Sequence, residues 1–473
     1  MTTRRLGPST ESQEPQTMSK YRSTNPMTGQ VVAEYATLGE DEIQTVLDQA
    51  HDAYVGWRRV EPSERSKVLS RVADLHRQHA TELAGLATLE MGKPITQALG
   101  EVELAAAIFE YYAEQGPALV TDEELTIAGS GRAIVRTSPI GPLLGVMPWN
   151  FPYYQVARFV APNLLLGNTI VLKHAANCPQ QALRIHDILA EAGAPVGAYT
   201  NVFVSNEQVA TMIASPVIQG VSLTGSERAG TAVGELAGRH LKKAVLELGG
   251  SDALIVLADA DIAQAVAAAA TGRFHNAGQT CTSSKRIIVE DAVWDEFLEG
   301  FLAAARAWQI GDPTDPDTKV GPMASLAARD DLAAQVDDAL GKGAVAHVGG
   351  AAPETGAAFY PATVLSEITP DMRAHQEELF GPVALLHRVA SIDEAIAVAN
   401  DSPYGLGSAV FTSNDAAAME VAERLDVGMV GINGTVRSAP DLPFGGVKRS
   451  GIGRELGRLG LDEFANKKLI RIP

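Results

Sequence analysis

Two hydrophobic periodicities alternate along the chain. From Asp41 to Trp57 the apolar positions Ile43, Val46, Leu47, Ala50 and Tyr54 form a helical stripe. Pro62-Ser63 then opens a second helix, with Ser63 as its N-cap and Val68, Leu69, Val72 and Leu75 on one face. Helix continues from Leu83 to Glu103, broken at Met91-Gly92-Lys93-Pro94. Between Glu124 and Ser138 the pattern becomes extended, and a Gly-Ser-Gly turn predicts a hairpin. Short apolar strands follow at Thr169–Lys173, Val217–Leu223, Ala253–Leu257 and Arg286–Val289. Helical segments separate them, one capped by Asp261 and ending near Gly272, another spanning Val293 to Trp308. Strands alternating with helices predict an α/β fold with largely parallel sheets.

At 473 residues the chain has room for two to four domains and a large core. A net charge of −19 disfavours nucleic acid and acidic membrane surfaces as partners. No apolar run approaches the roughly 18 residues that span a bilayer. Two cysteines, Cys178 and Cys281, make no disulfide framework, so the expected compartment is the reducing cytoplasm. Residues 1–20 are rich in Ser, Thr, Pro and Gln and lack the apolar stretch of a secretory signal. They read as a disordered tail, with Met18 as an alternative start.

Candidate chemistry concentrates around Cys281. The segment Asn276-Ala-Gly-Gln-Thr-Cys281 sets a thiol among small and polar residues, where a structural cysteine would sit in an apolar run. A nucleophilic thiol needs a partner that moves protons. Glu247, in Val245-Leu-Glu-Leu-Gly-Gly250, lies between an apolar run and two glycines. Burial there would raise its pKa and suit it to general-base work near neutrality. Pro148-Trp149-Asn150-Phe-Pro152 presents an indole and an amide on a Pro-fenced turn. Thr224-Gly225-Ser226 follows a strand and leads through Gly230 into a helix, a candidate phosphate cradle without the GxGxxG of typical dinucleotide folds. Neither an internal repeat nor metal-ligand spacing is visible, and no metal is expected.

Glu247-Leu-Gly-Gly followed by Asn276-Ala-Gly-Gln-Thr-Cys281 resembles the double signature of the NAD(P)-dependent aldehyde dehydrogenase superfamily. Further segments agree with it, including Trp149-Asn150, Gly225-Ser226-x-x-x-Gly230, Glu377-Glu378-Leu-Phe380-Gly-Pro and Pro443-Phe-Gly-Gly446. The resemblance covers nearly the whole chain. It implies a Rossmann-type cofactor domain (21–117 and 140–247), a catalytic α/β domain (248–455) and a β-hairpin oligomerisation arm (118–139 and 456–473). In that arm the hairpin would pair with Lys467–Pro473, and the assembly would be a homodimer or homotetramer.

By the same resemblance, Cys281 is the nucleophile and Glu247 the base that activates water. Asn150 and the Cys281 N–H form the oxyanion hole. Trp149, Lys173, Gly225, Ser226, Leu248 (by its backbone), Glu378 and Phe380 hold the cofactor. Succinate-semialdehyde dehydrogenases of the family hold the substrate carboxylate with two arginines and a serine. Arg158 and Ser438 occupy two of those positions here, while His275 stands in place of the second arginine, with Arg273 or Arg437 as compensating cations. NAD-preferring members carry a glutamate three residues after the strand lysine. This chain reads Lys173-His-Ala-Ala176, so NADP is the expected cofactor, with NAD also usable and His174 a candidate donor to the 2′-phosphate. The expected reaction is oxidation of succinate semialdehyde to succinate. Alternatives are another short aldehyde such as glutarate semialdehyde or an aliphatic one, a CoA-acylating enzyme, or a non-catalytic binding protein on the same fold.

Overall fold

A computed structural model describes residues 21–354 and 356–473; the expected tail over 1–20 lies outside the described residues. Two sheets organise it. The first has six strands in the order Gly451–Ile452, Lys243–Glu247, Gly220–Thr224, Pro142–Val146, Thr169–Lys173 and Tyr199–Asn201. All neighbours are parallel except Gly451–Ile452, which returns antiparallel at one edge and sets Gly451 opposite Glu247. The second has seven strands: Val345–Val348, Thr363–Ser366, Val383–Val389, Ser284–Glu290, Asp252–Val256, Gly407–Phe411 and Met429–Ile432. Only the Val345–Val348 edge is antiparallel. Parallel sheets must be covered on both faces, which explains why the central strands read as unbroken apolar runs.

The predicted hairpin forms from Glu123–Leu125 and Arg132–Pro139. Ala465–Ile472 pairs antiparallel with the latter along its whole length, Ala465 opposite Pro139 and Ile472 opposite Arg132. Asp261 caps Ile262–Phe274 as expected, its side chain accepting from the Gln264 N–H. Ser63 does not cap its helix. Pro62–Gln78 starts two residues earlier with Glu61 at the N-cap, because Pro62 at the first helical position needs no N–H partner and has its φ already set. The break after Met91 is made by Gly92, left-handed at φ 76°, between helices Ala80–Met91 and Ile95–Leu119.

The helix Tyr154–Leu166 runs through the interior behind the Asn150 turn. Every one of its 13 residues is buried, so its polar side chains must find partners within the protein. Arg158 is one of them.

Candidate active site

Cys281 sits on the loop between Ile262–Phe274 and Ser284–Glu290. Three consecutive left-handed residues, Asn276 (φ 55°), Ala277 (φ 51°) and Gly278 (φ 70°), turn the chain back toward the Asn150 turn. A side chain at position 278 would overlap the Gly381 carbonyl, so the turn requires glycine there. Asn276 Nδ2 donates to the Asn150 carbonyl at 3.0 Å, and the buried Lys93 donates to the same oxygen at 2.8 Å. Lys93 also pairs with Glu101, whose carboxylate accepts from the Tyr153 N–H at 2.8 Å. The Asn150 side chain is fixed as well. Its Nδ2 donates to the Gln279 carbonyl at 3.0 Å, and its Oδ1 accepts from Gln155 at 3.0 Å.

Two cavities meet at the sulfur. The larger, of about 440 Å³, is lined by Phe151, Tyr154, His275, Arg437, Ser438 and Phe444 among others. The second, of about 270 Å³, is lined by Trp149, Gly225, Ser226, Leu248, Glu378 and Phe380, together with Asn150. Only Cys281 and Gln155 line both. Trp149 and Phe380 pack edge to face across the second cavity, with centroids 5.7 Å apart. Burial pushes the Cys281 thiol up to about 12, against the pull of Arg158 and Lys285.

Glu247 ends its strand buried, and neither carboxylate oxygen has a hydrogen-bond partner among the described residues. It lines neither cavity. Burial holds its pKa well above the carboxylate range, with Arg158 opposing and Glu455 reinforcing. Gly445 makes room for it: a Cβ there would stand 2.6 Å from Glu247 Oε1.

The second cavity carries features that suit a phosphate and a ribose. Ser226 caps the helix Glu227–Arg239, so free N–H groups and the positive helix end face the turn after Thr224. Gly249 has no side chain where a Cβ would collide with Glu378 Oε2, which leaves that carboxylate its place on the wall. Lys173 ends the strand Thr169–Lys173, one strand beyond Pro142–Val146 in the same sheet, partly exposed and with its pKa lowered by burial. His174 takes no part. It is buried, its Nδ1 accepts from the Ala175 N–H at 2.8 Å and its Nε2 faces the Pro152 carbonyl at 3.2 Å. Burial lowers its pKa to about 4, which corrects the expectation of a donor or charge for a 2′-phosphate.

The residues expected to hold a substrate carboxylate are distributed unevenly. Ser438 and His275 line the first cavity. Burial, with help from Lys93 and Arg437, pushes His275 down to about 4, so at neutral pH it is an uncharged partner. Arg158 stands one residue behind the wall. Its guanidinium pairs with Glu455 and donates to the Tyr154 hydroxyl at 3.1 Å and to Thr224 Oγ1 at 3.0 Å. Tyr154 in turn donates to Ser438 Oγ at 2.6 Å. Arg273 is fully buried among the carbonyls of Val383, Leu379 and Gly381 and does not reach the cavity. Arg437 does line it, exposed and with no ion pair among the described residues.

Gln155, Tyr154, Lys93, Glu455 and Lys285 were not singled out from the sequence. The Gly-Lys-Pro turn after Met91 was the one local signal, for Lys93. Among the described residues no cluster of three His, Cys, Asp or Glu could hold a metal, and no helix is long and apolar enough to cross a membrane.

A thiol shared by two cavities, with a buried glutamate one residue before Leu248 of the second, suits covalent oxidation of an aldehyde. Residues 13–470 match the model of the aldehyde dehydrogenase family, and the chain belongs to that family. It is 52% identical over 451 residues to a succinate-semialdehyde dehydrogenase [NADP(+)] of Deinococcus radiodurans, covering 95% of this chain and 94% of that one. The Mycobacterium leprae protein of the same description is 43% identical over 450 residues, 95% of this chain and 98% of its own. Among solved structures, succinic semialdehyde dehydrogenase from Streptococcus pyogenes in complex with NADP+ superposes with a TM-score of 0.94 at 42% identity. That match covers 96% of this chain and all of the other (100%).

Proposed function

We propose that this chain oxidises succinate semialdehyde to succinate with NADP+. The observation that carries the reading is Cys281, the one thiol lining both cavities, beside a pocket whose wall combines Arg437 with the Ser438 and Tyr154 hydroxyls. An arginine and two hydroxyls suit a carboxylate at the far end of a short aldehyde. The relatives at 52% and 43% identity carry this activity in their names.

Cys281, as the thiolate left when its proton passes to water, attacks the aldehyde carbon through Sγ, and the oxyanion of the resulting thiohemiacetal is held by Asn150 Nδ2 and the Cys281 N–H. The Asn150 amide, already fixed by Gln155 and the Gln279 carbonyl, needs little reorganisation when the charge develops. Bound in the second cavity, the oxidised nicotinamide would supply the hydride acceptor needed to take the thiohemiacetal to a thioester. Glu247, kept basic by burial, then takes a proton from water, and the hydroxide releases the acid. Trp149, Gly225, Ser226, Leu248, Glu378, Phe380 and Lys173 would hold the dinucleotide. Ala176, with a methyl where a carboxylate would repel a 2′-phosphate, favours NADP+ while leaving NAD+ usable.

The arm supports a homodimer or homotetramer. Ala465–Ile472 is the outer strand of its sheet, with Leu469 63% and Ile472 47% exposed, an edge suited to a second copy. Two unpaired cysteines fit a reducing, cytoplasmic setting.

The test is a kcat/KM panel of aldehydes with and without a terminal carboxylate, with both cofactors, run with and without CoA. A preference for the carboxylated aldehyde and free acid as product supports the reading. Equal turnover of glutarate semialdehyde or butanal, or acyl-CoA as product, overturns it.

A further inference from the structure

Lys285 is the second residue of the strand Ser284–Glu290 and lines neither cavity. Its side chain is 1% exposed, so its ammonium must be satisfied by protein. An ammonium has three donors, and three acceptors surround this one. Two belong to the nucleophile loop: the carbonyls of Thr280 at 3.0 Å and of Cys281 itself at 2.9 Å. The third is Glu378 Oε1 at 2.9 Å.

Glu378 faces the other way. It lines the second cavity, is 18% exposed, and its Oε1 also accepts from the Gly250 N–H at 3.1 Å. Asp252 and Arg286, both buried, complete the charged surroundings. Charge-assisted bonds of this kind are short and strong, and they share their donor. Ribose hydroxyls that donate to Glu378 compete with Lys285 for its charge. The ammonium then leans further on the two carbonyls that flank the sulfur.

We propose that Lys285 is a positioning residue that couples the cofactor cavity to the nucleophile, so that a ribose held by Glu378 resets the placement of the Cys281 main chain. This rests on reading the second cavity as the cofactor's. Coupling of this kind is reciprocal, so the state of Cys281 also feeds back on cofactor affinity.

The experiment follows alkylation of Cys281 by iodoacetamide, read by intact mass, with and without saturating NADP+. NADP+ binding is measured separately by calorimetry, and the buried Cys178 serves as internal control. In the wild type, NADP+ should change the alkylation rate. Lys285→Met should still bind NADP+ while the ratio of rates with and without it shifts from the wild-type ratio by about fivefold or more, the lower range of such couplings. Lys285→Arg, which keeps a buried cation, should return the ratio toward wild type. A Lys285→Met ratio equal to wild type overturns the proposal, since shielding of the thiol by bound nucleotide would survive that change. Should Lys285→Met not fold, Glu378→Gln removes the same link from the cavity side, and an unaltered ratio there is equally fatal. Failure of the wild type to bind NADP+ would instead sink the cofactor reading. Binding without any change in alkylation would sink only the coupling.

Discussion

Arg158 and Glu455 form an ion pair with both side chains buried, and the same guanidinium meets the wall of the first cavity at the Tyr154 hydroxyl and over the Phe444 ring. Removing one partner of a buried pair leaves the other charge stranded. Arg158→Ala should therefore destabilise the fold by about 3–5 kcal/mol. Its activity should fall on every aldehyde alike, because Glu455 and Glu247 both lose their counter-charge. Thermal melts alongside kcat/KM for succinate semialdehyde and butanal check this. A selective loss on the carboxylated substrate from a fully stable variant would show the arginine contacting substrate directly.

Tyr154→Phe separates the cavity from that pair. It removes one hydroxyl bonded to Ser438 and Arg158 without stranding a charge. A loss near 1 kcal/mol, about fivefold in kcat/KM, is expected on succinate semialdehyde, with butanal unchanged. Equal effects on both would remove the hydroxyl from carboxylate recognition.

Cys281→Ala should abolish oxidation while cofactor binding persists. Glu247→Gln should instead give a burst of reduced cofactor followed by slow turnover, because only deacylation is impaired. Stopped-flow absorbance distinguishes the two, and loss of the burst in both would take Glu247 out of the second half-reaction. In the wild type the raised Glu247 pKa fixes the direction of the pH dependence. The base works only when ionised, so deacylation should speed up as pH rises through that value and slow on acidification.

Asp252 makes a stability prediction with a defined window. Burial raises its pKa to about 7, against Lys285 and the Gly407 N–H, from an ordinary value of 3.8. The folded state therefore holds a proton that the unfolded chain has released between those limits, and stability contributed by Asp252 declines as pH rises from about 4 to 7. Asp252→Asn keeps an acceptor for the Gly407 N–H at 3.0 Å and does not titrate. Its melting temperature should fall less than that of wild type across this window. Parallel curves would show that Asp252 is already ionised.

Ala176→Glu places a carboxylate beside the position expected for a 2′-phosphate. It should cost NADP+ activity about tenfold or more, about 1.4 kcal/mol, while sparing NAD+. A wild type that strongly prefers NAD+ would contradict the premise before any variant was made.

Much of this site was legible because its chemistry sits in short local motifs. Cys281, Glu247, Asn150 and the Gly225-Ser226 turn each occupy the end of a strand or a forced turn, where neighbouring glycines and prolines betray the geometry. The strand-helix alternation was legible for the same reason, and where Ser63 failed as a cap, Pro62 beside it already carried the better signal. The Arg158–Glu455 pair was not readable, since the two residues lie far apart in sequence and meet only because Gly451–Ile452 doubles back onto Lys243–Glu247. His174 looked available because sequence does not say which way a histidine faces. Lys285 gave no signal beyond nearness to Cys281, and the role proposed for it depends on Glu378, which a different strand connection delivers.

Apart from the sulfur and Gln155, the two cavities have no wall residue in common. On the proposed reading, selectivity for the aldehyde and selectivity for the nucleotide would be written in separate sets of side chains. On that reading, a descendant of this chain could drift toward a new aldehyde through residues 435–438, Thr271, Gly272 and His275 without renegotiating its electron acceptor, and the reverse would hold for Ala176 and the Gly225 turn. The division makes the scaffold modular in evolution, with one thiol and one amide as the joint between its halves.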